Sequence, residues 1–190
     1  MSSEPNRDLG RHYAGLPHLV LVLSVFSQFI PHLPNFSLVF GALLYCGARM
    51  RRRDALWFPL AVLELGSIAL SRWVYHARWG WGLWTLAGFA AALLAGELLR
   101  TAIRPARFVA AALASSGGFF ILSNFGVWLH GASYAKSWLG LAACYAAGVP
   151  FYRNSLAAAL VFGALLFGAD ALYERSAGRA RGSRLEWGRP

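Results

Sequence analysis

The chain has 190 residues, of which 57% are hydrophobic, 15% aromatic and only 14% charged. That is far more apolar surface than a soluble domain of this length needs for its core, and it indicates an integral membrane protein. The net charge of +10 does not point to nucleic acid, because the arginines lie in gaps between apolar runs and form no basic face with interleaved aromatics.

In chain order, residues 1–12 are polar, carry Glu4 and Asp8 beside Arg7 and Arg11, and read as a cytoplasmic segment, not a cleaved signal peptide. The first apolar run, Tyr13 to Ile30, is interrupted only mildly by Pro17. It ends at the uncharged string Pro31-His32-Leu33-Pro34-Asn35-Phe36, where two prolines stop a helix and force a turn. The second run, Phe36 to Ala48, closes on Arg49, Arg51, Arg52 and Arg53. The third, Ala55 to Ser71, holds Pro59 and a central Glu64, and leads into an aromatic-rich connector. The fourth, Gly82 to Leu99, has Glu97 in its last turn, and the fifth, Phe108 to Leu129, follows Arg100, Arg104 and Arg107. Trp138 to Tyr173 as one helix would be about 54 Å long, well beyond the roughly 30 Å of a hydrocarbon core. Pro150 and the pair Arg153-Asn154 are therefore expected to divide it into a short interfacial or re-entrant helix, about 138–149, and one last span. Residues 174–190 are rich in Gly, Ser and Arg and read as a basic, disordered cytoplasmic tail.

The expected fold is all-α: a polytopic membrane protein with six transmembrane helices in a single domain, 13–173, plus the short helix, with both termini cytoplasmic. Fourteen of the 18 basic residues then lie inside, only Arg72, Arg78 and Lys136 lie outside, and Arg153 is unassigned. Gly88, Ala92 and Gly96, and again Gly140, Cys144 and Gly148, recur every four residues, a spacing that lets helix backbones approach closely within the bundle or against another subunit.

This topology gathers His32, His76 and His130 from three connectors on the outer face, with Asn35, Trp73, Tyr75, Trp79, Trp81, Tyr134, Arg153 and Asn154 beside them. Aromatic rings to stack on a planar solute and imidazole or amide groups to hydrogen-bond it make a candidate ligand rim, although the same aromatics also suit an interface belt. No two of the histidines lie at i, i+4 spacing, so neither a metal nor a cofactor is expected. Glu64, costly in mid-membrane, is expected to face the bundle interior and either to be protonated or to find a partner, Arg153 being the first choice if the last helix dips inward. Asn124, in the outer third of the fifth run, either lines the same cavity or bonds across helices. The candidate ligand-binding set is His32, Asn35, Glu64, Trp73, His76, Trp79, Asn124, His130, Arg153 and Asn154. Glu97 is expected to pair with Arg100 or Arg104, and Asp170 with Arg175. Ser115-Ser116-Gly117-Gly118 is a weak nucleophile signal with His130 at the far end of its run, and no phosphate-binding or dinucleotide motif is present, so no enzyme is expected.

The strings Pro31-His32-Leu33-Pro34-Asn35-Phe36-Ser37, Ser123-Asn124-Phe125-Gly126-Val127-Trp128 and Pro150-Phe151-Tyr152-Arg153-Asn154-Ser155 resemble those of an uncharacterised family of small bacterial inner-membrane proteins. That family in turn is similar to the S components of energy-coupling-factor vitamin transporters. The resemblance implies a multi-pass protein of the cell inner membrane that binds a vitamin-like molecule at its outer face. It also implies a coupling membrane subunit and ATPases as partners besides the lipid bilayer. The chain departs from the pattern in two places: Ser155-Leu156-Ala157-Ala158-Ala159 lacks an aspartate after Asn154, and Tyr13 to Ile30 lacks the small-residue face that S components turn to their partner. Three functional readings follow in order: a substrate-binding or transport protein for a small planar or vitamin-like solute, a non-transporting subunit docking a larger complex, and an intramembrane enzyme.

Overall fold

The computed structural model describes residues 15–74, 76 and 82–187. Among these the chain forms six α-helices and no strand: α1 (Leu16–Ser27), α2 (Leu38–Arg49), α3 (Trp57–Trp73), α4 (Leu83–Gly96), α5 (Pro105–His130) and α6 (Trp138–Trp187), with a short 3-10 turn, Glu97–Leu99, after α4. Proline stands in the first turn of α1 and of α5, where its missing N–H costs no helical hydrogen bond. Residues 75 and 77–81, with Trp79 and Trp81 among them, lie outside the described part.

The bundle is built around α2, whose residues from Val39 to Ala48 are all buried and which packs on α1, α4 and α6. A helix apolar all round fits only where neighbours cover every face. It meets α4 backbone to backbone. A Cβ on Gly96 would sit 2.5 Å from the Leu44 carbonyl oxygen and 3.0 Å from Gly47 Cα, and a Cβ on Gly47 would collide with the Leu93 carbonyl. Gly88 lies against Phe119 of α5, and Ala92 is fully buried. The four-residue spacing on α4 therefore serves contact inside the chain. On α6 the second such series does the same: Cys144 Sγ approaches the Asn124 backbone oxygen at 3.4 Å, and a Cβ on Gly148 would lie 2.5 Å from Asn124 Oδ1.

The structure corrects the expected division of the last apolar stretch. Residues Trp138–Trp187 form one helix with Pro150 inside it. Contacts with α5 on the N-terminal side of the proline and with the α1–α2 connector beyond it hold the helix on course. The Tyr145 hydroxyl donates to the Ile121 carbonyl at 2.8 Å, and Asn154 Nδ2 donates to the Pro34 carbonyl at 2.9 Å. Tertiary packing of this kind overrides the helix-breaking tendency of proline.

Two helical segments, Pro105–His130 and Trp138–Ser176, are long and apolar enough to cross a membrane, whereas Leu16–Ser27, Leu38–Arg49 and Leu83–Leu99 are apolar but shorter. The two long helices leave large apolar side chains uncovered, including Ile121 and Leu165. At the end of the bundle away from the Pro31–Phe36 connector, a second correction appears. Asp170 pairs with Arg49 of α2 at 2.6 Å, not with Arg175, and its side chain is only 3% exposed. Arg100 pairs with Glu97 at 3.5 Å as its spacing suggests, and also donates to the Met50 carbonyl at 2.9 Å.

Candidate functional site

At the opposite end the chain encloses a cavity of about 560 Å3. Its floor is aromatic: Phe119 stacks on Phe89 with centroids 5.0 Å apart and meets Phe40 edge-on at 5.1 Å. All three rings are buried and line the cavity. Above the floor, polar groups converge from several elements. They are Gln28 just after α1, His32, Asn35 and Ser37 from the first connector, Thr85 from α4, Ser123 and Asn124 from α5, and Tyr134 from the α5–α6 connector. No Asp, Glu, Lys or Arg lines it among the described residues.

The connector walls are shaped by local chemistry. The Phe36 N–H donates to the Leu33 carbonyl at 2.9 Å, with Pro34 and Asn35 between them and Asn35 at φ 59°. This is the type II pattern, in which proline fixes the second position and the third needs a positive φ that asparagine tolerates. The His32 ring bridges the Leu33 carbonyl and the Gln28 side-chain amide, each at 2.9 Å. Asn124 Nδ2 donates to the Phe120 carbonyl of its own helix at 2.9 Å, leaving Oδ1 as an acceptor.

Of the ten sequence-derived candidates, the cavity brings together His32, Asn35 and Asn124. Asn154 touches its outer wall through Pro34. His130 stands beside the rim, where its Nε2 accepts a hydrogen bond from the Trp84 indole at 3.2 Å. Trp73 and His76 are exposed and are not among the lining residues, and Trp79 falls outside the described residues. Glu64 does not line the cavity, and its expected pair with Arg153 is not formed: Arg153 is exposed, while Glu64 Oε2 is buried without a hydrogen-bond partner among the described residues. Asn124 bonds within α5, not across helices, and lines the cavity as well.

A family model described as a family of unknown function (DUF6580) matches residues 11–181. The chain belongs to that family. The DUF6580 match takes in every cavity-lining residue. No curated protein and no solved structure matches the chain.

The site in this DUF6580 protein includes groups that sequence reasoning passed over: Gln28, Ser37, Thr85 and Ser123. Two of them carried a signal, since Ser37 and Ser123 are the terminal residues of strings already quoted with Asn35 and Asn124. Gln28 lies one helical turn before His32, a spacing that allows their 2.9 Å contact. The rim has its own brace. Lys136 Nζ donates to the carbonyls of Trp128 and Gly131 at the α5 C-terminus and lies 5.7 Å from the Trp128 ring centroid. The ammonium thereby answers the free carbonyls and the negative end of the helix dipole.

Proposed function

We propose that this protein resides in the inner membrane as a six-span bundle with both termini cytoplasmic, and binds a small, planar or vitamin-like solute in the cavity for transfer across the bilayer. One observation carries the proposal: uncharged polar groups converge above a buried aromatic floor in a cavity of about 560 Å3, the kind of concave, partly apolar site that takes small ligands. In this reading the shorter helices cross with the help of their flanking connectors, and the cavity faces outward. By resemblance to S components, a coupling membrane subunit and ATPases supply the energy. The role is binding and transfer, not catalysis.

Native mass spectrometry and thermal-shift screening of the detergent-purified chain against vitamins and nucleobases test the proposal. A bound or stabilising compound whose effect disappears in Asn124→Leu is the expected result. If no compound binds, or if Asn124→Leu binds as tightly as wild type, the cavity is not the site.

A further inference from the structure

Resting on that reading of the cavity, we propose that Ser37, together with the first turn of α2, seats the carbonyl oxygen of an uncharged planar heterocycle. Ser37 is the N-cap residue of α2, yet its hydroxyl makes no capping bond. The residue is only 5% exposed, lines the cavity, and has no hydrogen bond to any described residue. The hydroxyl faces the cavity with no partner among the described residues, so it is free to donate to a ligand atom. Beside it, the first N–H groups of α2 lack intrahelical acceptors, as at every helix start, and no side chain caps them. One acceptor oxygen placed here would accept from both.

The floor and the opposite wall define the rest of the ligand. Phe40, Phe89 and Phe119 present apolar ring edges and faces against which a ring can pack, and Asn124 Oδ1 offers an acceptor for a ligand N–H. The acceptor oxygen belongs to an amide or lactam, not a carboxylate. A helix N-terminus favours an anion by up to about fivefold, or about thirtyfold where partly buried. Withdrawing a carboxylate from water with no cation beside it disfavours binding by several powers of ten. No basic side chain lines the cavity among the described residues, and the Lys136 ammonium is already committed to two carbonyls.

Matched pairs of compounds test this on the purified full-length protein: nicotinamide against nicotinate, uracil against orotate, and riboflavin against riboflavin 5′-phosphate, by calorimetry and thermal shift. The neutral member of at least one pair is expected to bind at least tenfold tighter than its charged partner. Ser37→Ala and Ser37→Gly should each weaken the neutral member about tenfold, the worth of one hydrogen bond. Neither should alter the melting of the ligand-free protein by more than a few degrees, because Ser37 has no capping bond to lose. Glycine is itself tolerated at an N-cap, so the pair of variants covers a folding defect in either. A charged member binding as tightly as its neutral partner, with that binding lost in Asn124→Leu, overturns the inference and leaves the cavity as a ligand site. Wild-type affinity in both Ser37 variants also overturns it. Binding of none of the six compounds at millimolar concentration removes the ligand-binding reading itself, and this inference with it.

Discussion

Asn35 serves two ends at once, since its backbone completes the turn at φ 59° while the residue lines the cavity. The two roles separate by substitution. Asn35→Gly keeps the positive φ and removes the amide, so thermal or chemical unfolding should change by less than about 0.5 kcal/mol while any bound ligand is weakened. Asn35→Ala strains the turn as well, and should destabilise the protein by roughly 1 kcal/mol. Equal stability of the two variants would mean that the turn does not constrain this position. Asp170 presents a different case, since its carboxylate is nearly fully buried against an Arg49 side chain that is one-third exposed. Asp170→Asn should cost about 2 kcal/mol, between the value for an exposed pair and that for a fully buried one. The double variant Arg49→Met, Asp170→Leu should recover most of that loss in the same unfolding assay, because it leaves no buried charge unpaired.

At the scale of elements, the tightest joint is the crossing of α2 and α4 at Gly47 and Gly96. Gly47→Ala drives a methyl into the Leu93 carbonyl, a backbone atom that cannot swing aside. The expected cost is roughly 1–3 kcal/mol, read by unfolding in detergent, whereas Gly117→Ala, with open space around its Cβ, should be neutral or slightly stabilising. The helices themselves were legible in the sequence, because each apolar run between the prolines and arginine clusters became a helix or part of one. The continuity of α6 was not. The proline rule reads local backbone chemistry, while the bonds from Tyr145 to Ile121 and from Asn154 to Pro34 that hold the helix together come from partners distant in sequence. The same distance hid the partner of Asp170, which lies on α2, and led to the unformed pair between Glu64 and Arg153. Within the site, the residues that stood out by type, His32, Asn35 and Asn124, are on the cavity wall. Ser37 was quoted only as the end of the Pro31–Ser37 string, and the folded chain reveals that it precedes α2 without capping it.

For the whole molecule, orientation in the membrane is tested directly by labelling. Ser133 is exposed in the connector after α5, on the side of the bundle that bears the cavity. The two native cysteines, Cys46 and Cys144, are buried. Ser133→Cys should therefore be labelled above a low background by a membrane-impermeant maleimide added to intact cells. Labelling only after the cytoplasmic side is opened would invert the topology and place the cavity inside.

The single helix α6 has a mechanical consequence. It is pinned at Asn154 to the cavity wall at Pro34 and again, further along, at Asp170 to Arg49. The two pins are about 24 Å apart along a rod with no proline between them. Such a rod transmits tilt better than it bends, so parting the first pin to let a solute in or out loads the second. Spin labels placed at either pin should then move together when ligand is added. Movement at Asn154 alone would show that the rod flexes and that the far ion pair is only a strut.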